Sequence, residues 1–309
     1  MVPSVRSVVP SRLRLPVWAG VLTAMIGLGA AVPMSARAPE VFNVGFTASM
    51  IGGVSRTDAR AALDVWVREI ASTRGLHLTT SAEFFETTDE VRAAIDSGRV
   101  QLVLVSVEQF LHLQRPAFGE VLTGQRRGKG KDEFLLLTKK GAVTQLADLK
   151  GSILQTVDGL DRDMAMVWLE TILHEQGLPP AVRHFASVAA APKVARGVLP
   201  VYFGQATACL VSRSAFDLMV ELNPQIGAAL APLVTSPPLV SGVLLLDRAF
   251  EPALRPRLVD ALLSLHASPR GLQVLSLFGV DQITTGSAEQ LAPSLDLVRR
   301  LDRVRRGTK

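Results

Sequence analysis

The sequence predicts an α/β protein built from two doubly wound units. Three observations carry this. Apolar runs of strand length alternate with helical segments from residue 41 to a helix that starts near Glu108. The run at 100–105 (VQLVLV) is nearly continuous in apolar residues, as in a strand buried on both faces of a parallel sheet. After a polar, basic stretch at 125–131 (QRRGKGK), read as a solvated surface loop, the alternation begins again.

Each element follows in order. Residues 41–47 (VFNVGFT) follow Pro39 and form the first strand, and a polar, Gly-rich turn runs to Ser55. Ser55 is an N-cap, with Asp58 as a carboxylate variant of the capping box. In the helix that follows, Ala59, Leu63, Trp66 and Ile70 mark one buried face, and Gly75 ends it. A second strand covers 77–81. Thr88 caps a second helix, with Val91, Ala94 and Ile95 inward and Gly98 as its stop. The strand at 100–105 ends at Ser106, and a helix starts near Glu108. In the second unit, 134–138 (FLLLT) is a strand and 148–156 a turn plus strand. Residues 158–163 (DGLDRD) precede a helix ending at Gly177. A strand at 206–211 leads to a helix over 214–222, stopped by Asn223-Pro224. Ser236-Pro237-Pro238 marks another boundary. An extended apolar run, 240–246, and two helices, 252–266 and 269–278, complete the chain's main elements.

Charge says where the protein goes. The 309 residues carry 33 Lys and Arg against 28 Asp and Glu, a formal +5. Residues 1–38 hold Arg6, Arg12, Arg14 and Arg37 and no acid, so the remainder is close to neutral. This segment reads as a secretory signal: a basic start, an apolar stretch over 17–34 broken near Pro33, and small residues around Ala36-Arg37-Ala38. Cleavage near Ala38 is expected over retention as a membrane anchor. A soluble periplasmic protein of two lobes' size remains, with no membrane insertion. One cysteine, Cys209, excludes a disulfide framework and any Cys-rich metal site. The Arg299, Arg300, Arg303, Arg305 and Arg306 face is a solvated tail in an exported protein, so nucleic acid is excluded as a partner.

Catalytic patterns are missing. There is no G-x-S-x-G elbow, His174-Glu175 lacks the second His of a zinc helix, and residues 124–131 miss the phosphate-loop spacing. No cofactor or metal is expected. Asp161 with His184 is the one pair an exported enzyme could use. Three strand-to-helix turns instead offer free N–H groups and a positive helix end: 47–55, 106–108 and 158–163.

The mature chain resembles the phosphate/phosphite/phosphonate substrate-binding component of ABC transporters, a type 2 periplasmic binding protein. The matching stretches, in order, are FNVGFTAS (42–49), EVRAAIDSGRVQLVLV (90–105), LADLKG (146–151), GQATACLV (204–211) and LRPRLVDALLSLHASPRGLQVLSLFG (254–279). The resemblance implies two lobes, one from 40–125 with 237–309 and one from 126–236. It implies hinge crossovers near Leu135 and Val240, closure over a solute, and delivery to an ABC permease. Alternatives are an exported enzyme on this scaffold or a homologue repurposed as a sensor. The expected cleft lining is Thr47, Ser49, Ser55, Ser106, Asp158, Asp161, Arg162 and Thr207. The family's Ser/Thr-rich helix turn is Asp161-Arg162-Asp163 here, its strand-end aromatic is Val105, and its Asp in the fourth stretch is Thr207. Two carboxylates in that turn would repel an oxyanion, by about 4 kcal/mol each at 4 Å and intermediate dielectric. A neutral polar or zwitterionic solute therefore fits at least as well as phosphate or phosphonate.

Overall fold

The computed structural model describes residues 40–51, 55–74, 78–113, 118–248, 250 and 252–307. The expected signal segment, the Gly-rich part of the first turn at 52–54 and the Gly75 helix stop lie outside them. The first sheet begins with β1 (Glu40–Thr47), α1 (Arg56–Arg74), β2 (Leu78–Phe85), α2 (Thr88–Asp96), β3 (Leu102–Ser106), α3 (Val107–Leu113) and β4 (Phe118–Gln125). β1 runs parallel to both β2 and β3. All five residues of β3 are buried, as its unbroken apolar run requires. The α2 cap is Thr87 rather than Thr88: Thr87 Oγ1 accepts the Glu90 amide at 3.2 Å, and the Glu90 carboxylate accepts the Thr87 amide in return.

The second sheet is built from β5 (Phe134–Lys139), β6 (Ile153–Val157), α4 (Arg162–Glu175), α5 (Ala181–His184), β7 (Ser187–Ala191), α6 (Val194–Phe203), β8 (Ala208–Ser212), α7 (Arg213–Leu222), α8 (Pro224–Ala229) and β9 (Leu230–Thr235). Its strand order is β7-β6-β8-β5-β9, with β6 parallel to β7 and β8. The chain then returns with β10 (Gly242–Asp247), α9 (Arg255–Leu263), α10 (Pro269–Leu277), β11 (Gln282–Thr285) and α11 (Ala288–Gly307). β10 inserts antiparallel between β3 and β4, giving the order β11-β4-β10-β3-β1-β2.

Two segments cross between the sheets, and they are bonded to each other. Asp132 and Leu239 exchange backbone hydrogen bonds of 2.9 and 2.8 Å. Ser236 Oγ accepts the Phe134 amide at 2.7 Å. The first of them runs just before Leu135, which itself lies inside β5, paired with Val211 and Thr235.

The core is braced across the halves by α11. Its Leu291, Leu297, Val298 and Leu301 join a cluster that includes Val103 and Val243 of the first sheet and Leu136, Leu154 and Trp168 of the second half. Its basic end is not a free tail. Arg300 pairs with Glu175 of α4 at 3.0 Å, and Arg305 with Glu108 of α3 at 2.8 Å. Cys209 is fully buried in β8, where burial pushes its thiol up to about 12. Among the described residues no helix is long and apolar enough to cross a membrane, and no His, Cys, Asp and Glu cluster could hold a metal ion.

Candidate functional site

Parallel strands deliver their carboxyl ends to one rim, and open α/β sheets bind ligands there. In the second sheet that rim carries Thr156 and Val157 of β6 and Ser212 of β8. These line a cavity of about 590 Å³. The opposite wall comes from the first half: Met50 after β1, and Ser276, Phe278 and Gly279 at the end of α10. A smaller polar space of about 130 Å³ adjoins it toward the crossing segments, sharing Arg126, Asp161 and Ser214.

The amino end of α4 faces this cavity through Asp158, Asp161 and Arg162. The first-turn amides of Asp163 and Met164 meet no acceptor among the described residues, so a positive helix end is on offer. Arg162 sits beside Thr156 Oγ1 (Nε at 3.4 Å) and pairs loosely with Asp158 at 3.6 Å. Lys193 adds a second cation from the start of α6 and carries no ion pair among the described residues.

The carboxylates in this turn are not free. The Arg126 guanidinium donates to Asp161 Oδ2, and the Ser241 hydroxyl donates to Asp161 Oδ1 at 2.6 Å. Arg126 also donates to the Gly279 carbonyl at 2.5 Å and lies 3.9 Å from Asp132. The stretch at 125–131 is therefore not wholly solvated: Arg126 turns inward and joins both halves to a crossing segment. Asp163 points elsewhere. Burial, with Glu108 adding to it, raises its carboxyl above the usual range, while Ser49 and Arg162 oppose this. The buried Ser49 hydroxyl lies beside that carboxyl but outside hydrogen-bond geometry.

Of the eight residues expected to line the cleft, Asp158, Asp161 and Arg162 do so. Thr47 and Ser106 are not among the residues lining the cavity and are tied to Gln109. Thr47 Oγ1 donates to Gln109 Oε1 at 3.0 Å, and Ser106 and Gln109 cap α3 reciprocally at 3.0 and 3.1 Å. Ser55 caps α1, its Oγ accepting the Asp58 amide at 3.0 Å. Thr207 lies before β8, at the end of the strand away from Ser212. Its amide bonds Ile153 O at 3.1 Å. His184 is buried against the Leu146 carbonyl (3.0 Å) and Phe185, so it is not the partner of Asp161.

Sequence reasoning passed over Thr156, Ser212, Lys193 and Arg126. The first two carried a usable signal, a hydroxyl at the carboxyl end of an apolar strand. Arg126 carried none, because its partner Asp161 is 35 residues away.

Two doubly wound lobes joined by two crossing segments around such a cleft are the fold of type 2 periplasmic binding proteins. The chain belongs to the family of periplasmic substrate-binding proteins of phosphonate ABC transporters, whose sequence profile matches residues 55–291. Solved structures agree in fold. The chloride-bound XAC2383 of Xanthomonas citri superposes with a TM-score of 0.61 at 16% identity, over 86% of this chain and 99% of its own. The binding protein component of an ABC phosphonate transporter from Pseudomonas aeruginosa gives 0.59 at 14% identity, over 85% and 88%. PhnD1 of Prochlorococcus marinus in complex with methylphosphonate gives 0.59 at 12%, over 85% and 99%. No curated protein sequence matches the chain.

Proposed function

We propose that the protein captures a small phosphonate-type anion in the cleft between its lobes and presents it to an ABC permease. The lobes, 40–125 with 237–309 and 126–236, hinge about the crossing segments to close over the solute. The anion head sits at the amino end of α4. Thr156 and Ser212 donate hydroxyls, the first-turn amides of α4 donate N–H groups, and Arg162 and Lys193 supply charge.

The observation that carries this reading is the pairing of Asp161 with Arg126 and Ser241. From sequence, Asp161 and Asp163 together would repel an oxyanion. Asp161 is neutralised by a guanidinium, and Asp163 is drawn toward its neutral form by burial. With the repulsion reduced, the helix end, hydroxyls and cations favour an anion over a neutral or zwitterionic solute. A binding role uses every feature of the cleft without a nucleophile or an acid–base pair.

A thermal-shift screen of phosphate, methylphosphonate, sulfonates and amino acids tests the reading. At a hundredfold excess over Kd the ligand adds about 2.7 kcal/mol of stability. Stabilisation by an amino acid and by none of the anions would refute it.

A further inference from the structure

A second cavity, of about 80 Å³, lies inside the first lobe and is lined by apolar side chains and glycines. One wall is the sheet, with Phe46 and Leu104. The other is helical, with Ala59, Leu63, Trp66 and Leu275. Two observations separate it from an ordinary packing defect. Trp66 is 4% exposed, yet its indole Nε1–H has no hydrogen-bond partner among the described residues. Buried polar groups are nearly always paired, and an indole N–H can only donate.

The second observation is its position. Gly124, Leu160, Gly242, Phe278 and Val280 line both this cavity and the polar spaces of the cleft. Among the described residues Leu160 is the only lining residue from the second half, and it directly precedes Asp161. Gly242 makes that approach possible: a Cβ there would lie 2.9 Å from Leu160 Cδ1 and 3.0 Å from Met50 Sδ. The apolar cavity thus shares a wall, at Leu160 and Phe278, with the cavity of the proposed anion site.

We infer that the cavity receives the substituent of the ligand, making the preferred solute a phosphonate with a short alkyl or alkoxyalkyl chain. This rests on the proposed anion site. A cavity of roughly 150 Å³ holds benzene, so about half that volume takes a chain of about three to four carbons. An ether oxygen along the chain would accept the Trp66 N–H.

Titration calorimetry of the whole chain with methyl-, ethyl-, propyl-, butyl- and hexylphosphonate tests this. Affinity should rise about fourfold per methylene as far as propyl or butyl and then stop rising. Ala59→Leu, which fills the cavity away from the anion site, should flatten the series and leave methylphosphonate unchanged. Trp66→Phe should abolish any preference for an ethoxyethyl over a butyl chain. A flat series in the unaltered protein, with methylphosphonate bound, overturns the inference and leaves the anion site standing. Failure of every phosphonate, with no stabilisation by butanol, overturns both. Stabilisation by butanol without phosphonate binding upholds the cavity and refutes the anion site. The unaltered series decides the matter even if a variant fails to fold.

Discussion

The Arg126 guanidinium, on a segment crossing between the sheets, donates to the carboxylate of Asp161 at the head of α4. Both side chains are about one-fifth exposed, so water screens the pair only partly. Removing either partner leaves the other largely buried with only its weaker contacts, Ser241 for Asp161 and the Gly279 carbonyl and Asp132 for Arg126, so the two losses are not independent. Arg126→Ala, Asp161→Ala and the double variant should show a coupling of about 0.5–3 kcal/mol in urea unfolding. Losses that add within about 0.3 kcal/mol would mean the pair is decorative.

The same pair makes a prediction about binding. Asp161 competes with a bound anion for positive potential. Asp161→Asn keeps the Ser241 contact and removes the charge, so anion affinity should rise severalfold. A fall in affinity would place the charge of Asp161 on the side of the ligand.

Asp163 gives a pH dependence with a definite sign. Burial and Glu108 raise its carboxyl in the folded protein, so the folded state binds the proton more tightly than the unfolded chain. Its contribution is therefore fully present below the ordinary carboxylate range and lost as pH rises through the raised value. Asp163→Asn should gain stability relative to the unaltered protein as pH rises above about 4. A difference in Tm that stays constant over that rise would contradict the assignment.

Cys209 should be inert. With its thiol pushed up to about 12 by complete burial, almost no thiolate forms at pH about 8. Maleimide should label it only in denaturant, and rapid labelling of the folded protein would show that β8 opens readily.

Thr87 closes a reciprocal cap on α2. Thr87→Ala should cost about 0.5–2 kcal/mol in thermal or urea unfolding. The same substitution at Thr88, inside the helix, should cost less.

Much of the architecture was legible where burial is uniform. β1, β3, β5 and β10 are apolar runs that admit one interpretation. The strands that escaped are β4, β7, β9 and β11. β7, β9 and β11 are sheet edges, short and only partly buried, so no strong pattern is imposed on them. β4 is internal, but Gly119, Glu120 and Gly124 interrupt its hydrophobic pattern. The site was legible only along the chain. Asp158, Asp161 and Arg162 stand together in sequence at a helix start. Thr47, Ser55 and Ser106 looked alike for the same reason; Ser55 and Ser106 are caps and Thr47 holds Gln109, because capping and anion binding use the same residue types. What joins Arg126 to Asp161, or Lys193 to Ser212, is tertiary packing, which a local pattern does not encode.

The most direct test is titration calorimetry of methylphosphonate into the protein and into the Arg162→Ala, Lys193→Ala double variant. Charge-assisted bonds are worth about 1.5–3 kcal/mol each. Saturable binding to the unaltered protein should therefore weaken at least a hundredfold in the double variant, whose Tm without ligand stays close to that of the parent. Equal affinity in both would mean that the anion, if bound, does not occupy this cleft.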